Sequence, residues 1–178
     1  WDLAGYKPFD MEVVAAFDID KRKVGRDISE AIFSKPNNTT VFQKEIPKSN
    51  VQVKKAPVLD GYASHMNEYS EDHRFVVSDE KEVNVADELK KSGAEILVNY
   101  LPVGSEKATR YMAEQCLKAN IAFINGMPVF IASDREWAKK FEEKKLPIVG
   151  DDIKSAFGAT IVHRTLTKLF VDRGLKLD

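Results

Sequence analysis

Glu95-Ile-Leu-Val-Asn-Tyr-Leu101, Ser105 to Ala119 and Ile121-Ala-Phe-Ile-Asn125 read in turn as strand, helix and strand. The two apolar runs are short and continuous, as expected of strands buried in a parallel sheet. Between them Ala108, Met112, Cys116 and Ala119 fall on one helical stripe. A helix joining two such strands makes a right-handed crossover. The same alternation continues downstream. Asp134 to Lys144 is a charged helix with Trp137, Ala138 and Phe141 inward, Leu146-Pro-Ile-Val-Gly150 is a strand, and Ser155 to Arg173 is a long helix ended by Gly174.

Upstream, Val85 to Lys91 reads as a helix stopped by Gly93. Glu12-Val-Val-Ala-Ala-Phe-Asp-Ile-Asp20 is apolar up to its acidic end, the pattern of a strand covered on both faces. Lys21 to Ser34 follows as a helix after a tight turn, with Val24, Ile28, Ala31 and Ile32 at helical spacing. From Lys35 to Val77 the pattern weakens among Pro36, Pro47, Pro57 and Gly61, with short strands expected at 51–53 and 75–77. So long an irregular stretch reads as an excursion around a ligand. The fold class is α/β, a Rossmann-like doubly wound parallel sheet forming one domain without repeats or linkers.

Composition narrows the function. The chain has 178 residues, 27 basic and 28 acidic side chains and a net charge of -1. Without a basic excess to neutralise phosphates, nucleic-acid binding is disfavoured. Apolar runs such as Val13 to Phe17 fall far short of a membrane span. The single cysteine, Cys116, forms no internal disulfide, which favours a reducing, cytoplasmic setting. No signal peptide is visible. A start at Trp1 with a strand close behind it gives the expectation of an internal fragment of a longer protein.

In open parallel sheets, ligands bind beyond the carboxyl ends of the strands. The first such end carries Asp18, Ile19 and Asp20. An acidic residue here hydrogen-bonds adenosine ribose hydroxyls in dinucleotide folds, and Asp20 also reads as an N-cap. No G-x-G-x-x-G loop occurs in the chain. Asn99 to Ser105 ends the next strand; Pro102 and Gly104 shape a turn, Ser105 reads as a cap, and Asn99 is harder to assign to packing. Asn125-Gly-Met-Pro128 ends the third. Gly150-Asp-Asp-Ile-Lys-Ser155 is the densest end. There Asp151 or Asp152 either caps the helix or joins Lys154 in a charged crevice, and Lys154 is either a solvated lysine or one that stabilises an oxyanion or phosphate or shuttles a proton. His65, His73, His163 and Cys116 show no metal-ligand spacing, so no metal site is expected. Cys116 reads as core and the lysine-glutamate run 139–145 as a solvated helix face.

Several runs resemble the myo-inositol-1-phosphate synthase family, prokaryotic branch: Val14-Ala-Ala-Phe-Asp-Ile-Asp20 with Lys23-Val-Gly25, Tyr100-Leu-Pro-Val-Gly-Ser-Glu106, and Pro128-Val-Phe-Ile-Ala-Ser-Asp134 with Trp137-Ala-Lys-Lys-Phe141. Gly150-Asp-Asp-Ile-Lys-Ser155 with Gly158-Ala-Thr-Ile161, His163-Arg164 and Arg173-Gly174 is the most specific. The resemblance implies NAD-dependent isomerisation of D-glucose 6-phosphate to 1L-myo-inositol 1-phosphate, by oxidation, enolisation, intramolecular aldol closure and re-reduction. It implies a homotetramer in the full-length protein, with residues 1–178 as a partial NAD-binding domain lacking the upstream glycine-rich loop and the downstream catalytic and tetramerisation domain. By position, Asp18, Ile19, Asp27, Asn99, Leu101, Pro102 and Ser155 correspond to cofactor-binding positions, and Lys154 and Asp152 to catalytic ones. Ala156 stands where the family usually has glutamine and Phe157 where a smaller aliphatic is common, which supports one alternative, a non-catalytic dinucleotide-binding copy; the other is a related oxidoreductase acting on a sugar or polyol phosphate.

Overall fold

In the computed structural model the chain is described over residues 2–37, 39–153 and 158–176, and every strand in it is short and parallel to its neighbours. The strands are β1 (Ala16–Asp18), β2 (Val53–Lys55), β3 (Ile96–Asn99), β4 (Ala122–Asn125) and β5 (Ile148–Val149). They hydrogen-bond as a β1–β2 pair and a β3–β4–β5 group. Register pairs Asp18 with Lys55 and Asn99 with Asn125, so the polar strand ends lie side by side. The expected α/β class with parallel strands is borne out.

The helices are α1 (Ile28–Ala31), α2 (Val85–Ser92), α3 (Glu106–Ala119), α4 (Arg135–Glu143) and α5 (Ala159–Asp172). Local chemistry sets most of their limits. Asn84 and Asp134 accept amides of the first turns of α2 and α4. Gly93, at φ 72°, ends α2 as anticipated, because that left-handed position carries a penalty for any side chain. The core gathers Val85 and Leu89 of α2, Ala113 and Cys116 of α3, Phe123 of β4, Ile131, and Trp137 and Phe141 of α4. Leu97, Phe123 and Ile148, in register across the sheet, all turn toward this core.

Three expectations change. Strands read as buried on both faces are covered on one: Ile96, Val98 and Val149 alternate with the core-facing residues and are 52%, 42% and 58% exposed. The segment 21–34 holds turns over 21–25 and only the short helix α1, because the chain at Gly25 (φ 81°) turns left-handed and redirects. The 75–77 segment makes a single antiparallel bridge, Asp20 to Val77, instead of a strand.

The long irregular segment packs against the protein itself. Arg22 donates from Nη1 to the Glu71 carbonyl at 2.6 Å and from Nη2 to the Arg74 carbonyl at 2.7 Å, pinning it beside the end of β1. Earlier in the same segment, Asp60 reaches α3. The segment therefore joins the carboxyl end of β1 to the turn that follows β3.

Candidate functional site

The carboxyl ends of β1, β3, β4 and β5 carry four groups of polar residues, and the structure shows what each already does. At β1 the Asp18 Oδ1 accepts the amides of Ile19 (2.7 Å) and Asp20 (2.9 Å). Its Oδ2 lies 3.2 Å from Lys23 Nζ, and both side chains keep partial access to solvent. The Ile19 carbonyl accepts from Ser78 N, so Ile19 is held by its backbone.

Asp20 is fully buried and is a brace, not a helix cap. It takes the Arg22 guanidinium with both oxygens, at 2.8 Å from Nε and 2.6 Å from Nη2, and also accepts the amides of Arg22 and Val76. Burial alone would raise its pKa, but the guanidinium and the two amides outweigh that and hold it below the usual carboxylate range. Arg22 is raised in turn, first by its bond to Asp20.

Asp27 lies at the other end of the strands. It bridges to Gln52, just before β2 begins, and its oxygens accept from Ser29, Ser49 and Asn50. The Ser29 hydroxyl and amide lead in holding this carboxyl far below its ordinary pKa. Around it opens a cavity of about 730 Å³ lined by Arg26, Lys48, Lys54 and Lys91 among others. That cavity is not at the strand carboxyl ends, where the topology favours a ligand.

At β3 and β4 the two asparagines face one another. Asn99 Nδ2 donates to Asn125 Oδ1 at 3.0 Å and to Thr109 Oγ1 at 3.1 Å, and its Oδ1 accepts the Leu101 amide at 3.4 Å. The Asn99 side chain thus has a packing role after all, fixing the turn into Leu101 and Pro102, which remain half-buried. Ser105 Oγ donates to the Pro102 carbonyl and does not cap α3. The cap is Asp60, whose carboxylate accepts the amides of Lys107 (2.6 Å) and Ala108 (3.0 Å). With those donors taken, the α3 N-terminus is closed to an anion.

At β5 the two adjacent carboxylates divide their labour. Asp151 accepts the amides of Ile131, Ala132 and Ser133 at 3.0 to 3.1 Å and the Asn125 side-chain amide at 2.8 Å. Burial would raise its pKa; Asn125 and the three amides lower it on balance. Asp152 is exposed, with φ 71°, and its carboxylate accepts only the adjacent Ile153 amide among the described residues. Lys154 and Ser155, singled out from sequence, lie outside the described residues, as do Ala156 and Phe157.

Asp18 therefore meets the demand of an adenosine ribose: a carboxylate at a strand carboxyl end, with one oxygen fixed by backbone and the other reachable. Sequence reading missed Asp60, Arg22 and Lys23. Asp60 precedes Gly61, an ordinary turn pair, and nothing local ties it to a helix 47 residues away. Among the described residues no cluster of three His, Cys, Asp or Glu side chains gathers as a metal site, and no helix is long and apolar enough to cross a membrane.

Comparison with known proteins bears out the resemblance. An inositol-3-phosphate synthase of Mycolicibacterium smegmatis is 50% identical over 173 residues, which is 97% of this chain and 46% of that protein. The inositol-3-phosphate synthase of Corynebacterium glutamicum is 44% identical over 97% of this chain and 46% of its own length. Among solved structures, Ari2 matches with a TM-score of 0.75 at 30% identity, covering 96% of this chain and 47% of that one. A myo-inositol-1-phosphate synthase-related protein from Thermotoga maritima matches with a TM-score of 0.59 at 18% identity, over 93% and 48%, a likeness of fold alone. No family model matches. The chain spans about half the length of the curated relatives it matches.

Proposed function

We propose that this chain, similar along 97% of its length to inositol-3-phosphate synthases, is the NAD-binding part of such an enzyme. The reaction is conversion of D-glucose 6-phosphate to 1L-myo-inositol 1-phosphate, the entry to inositol and inositol-phospholipid synthesis. The observation that carries this reading is identity of 50% sustained across nearly the whole chain. In it, Asp18 and Ile19 hold the adenosine ribose, Leu101 and Pro102 line the cofactor, and Ser155 contacts it. Asn99 acts by shaping the turn into Leu101, and Asp27 braces α1 without touching the cofactor. Asp18, Ile19, Leu101, Pro102 and Ser155 would hold NAD, which when bound would supply reversible hydride chemistry within one turnover, so no net NADH is expected.

The remaining work falls to side chains. Lys154 would place an ammonium where negative charge develops on the sugar oxygen during enolisation, an interaction strongest in a crevice shielded from water. Asp152, exposed and two positions earlier in the sequence, would orient that lysine. Asp151 and Asn125 would hold the turn that leads into Asp152. Cytoplasmic location and assembly as a homotetramer belong to the same proposal.

The test uses the native-length protein with glucose 6-phosphate and NAD. Expected results are inositol 1-phosphate formation without net NADH, and loss of at least a hundredfold in kcat for Lys154→Met with dinucleotide affinity retained. Dinucleotide binding with no loss of glucose 6-phosphate would favour the non-catalytic copy, which Ala156 and Phe157 motivate. Net NADH production would favour an ordinary oxidoreductase.

A further inference from the structure

We infer that Lys23 sets how this chain treats the 2′ position of the adenosine ribose, softening the bias for NAD over NADP that Asp18 alone would impose. The inference rests on the dinucleotide reading above. In dinucleotide folds, an acidic residue at this strand end accepts from the ribose hydroxyls and repels a 2′-phosphate, whereas a nearby cation accommodates that phosphate. Here both chemistries sit in one pair. Asp18 spends Oδ1 on the amides of Ile19 and Asp20, which leaves Oδ2 as the oxygen for a ribose hydroxyl. Lys23 Nζ stands 3.2 Å from that same oxygen.

The neighbouring cations are committed elsewhere. Arg22 is held by Asp20 and by the carbonyls of Glu71 and Arg74, and Lys21 lies 3.9 Å from Glu71. Lys23 is the cation paired with Asp18 among the described residues. Side-chain exposures of 20% for Lys23 and 26% for Asp18 leave the pair open to a ligand yet partly shielded from water, so its charges are felt. A 2′-hydroxyl meets an acceptor whose charge is partly neutralised. A 2′-phosphate meets one repelling and one attracting charge in place of repulsion alone.

The experiment is a calorimetric titration of the native-length protein with NAD+ and with NADP+, for the unaltered protein and for Lys23→Met, Lys23→Arg and Asp18→Asn. The quantity read is the ratio of the two dissociation constants. We expect Lys23→Met to increase the preference for NAD+ by about tenfold, the scale of one partly exposed charge interaction. Lys23→Arg should restore the original ratio, and Asp18→Asn should shift it toward NADP+. A lysine that merely stabilised the turn would weaken both dinucleotides together and leave the ratio alone. An unchanged ratio in Lys23→Met, with Asp18→Asn still shifting it, overturns the role of Lys23 while the ribose site stands. If the unaltered protein binds neither dinucleotide, the dinucleotide reading fails and the assignment to Lys23 with it.

Discussion

The Asn125 side-chain amide donates to Asp151 Oδ1 at 2.8 Å, joining the end of β4 to the turn that follows β5. The same amide donates to the carbonyls of Met127 (3.1 Å) and Val129 (2.8 Å), while Asp151 gathers the amides of residues 131–133. One asparagine and one aspartate thus organise the whole loop between β4 and α4. That aspartate's neighbour, Asp152, is left exposed by the network.

Asp151→Ala would leave the three loop amides of residues 131–133 without that acceptor and take from the Asn125 amide one of its three acceptors. Unsatisfied groups of this kind cost about 1–3 kcal/mol each when buried, and this loop is only partly so. A net loss of about 2–4 kcal/mol is expected, read as a lower urea midpoint at unchanged m-value. A loss below about 0.5 kcal/mol would remove the loop-organising role.

The buried Asp20–Arg22 pair should be visible in the acid limb of stability. Its carboxyl pKa is lowered on folding from 3.8, so its stabilisation is present above about pH 4 and is lost as pH falls through the folded value. Asp20→Asn should cost about 3 kcal/mol at neutral pH, because Arg22 keeps its charge without its partner. The variant should also lose less stability than the unaltered protein between pH 5.5 and pH 3. Parallel urea-midpoint curves for the two proteins across that range would refute this.

Asp60 is expected to behave as a helix cap acting at long range. Asp60→Ala should destabilise the protein by about 1 kcal/mol and speed hydrogen exchange at Lys107 and Ala108 in particular. Unchanged exchange at those two amides would count against the assignment.

The Cys116 thiol is fully buried, and burial pushes its pKa up to about 12. Thiolate is the reactive form, so native protein should not react with an aromatic disulfide reagent at pH 8 over minutes, while protein in concentrated urea should react once per chain. Fast native labelling would mean that α3 does not sit on the sheet as described.

Much of this molecule can be read from short windows of its sequence. Asn84, Gly93 and Asp134 mark helix ends through bonds or backbone conformations within a few residues, and the stripe from Ala108 to Ala119 declares α3 by its period alone. The parallel α/β class follows from the alternation of such elements. Residue types at the strand ends were equally legible, since Asp18, Asn99, Asn125 and Asp151 interrupt apolar runs.

Their partners were not legible in that way. Asp60 caps a helix 47 residues on, Asn99 finds Asn125 26 residues on, and Arg22 reaches a carbonyl 52 residues away. Asp27, which the resemblance sets among the cofactor-binding positions, finds its bridge partner in Gln52, just before β2. Periodicity shows which side of a strand or helix is apolar, because that pattern repeats along the chain itself. A hydrogen bond between two strand ends depends on how the strands are paired and in what register, and that is settled only when the intervening helices fold them side by side.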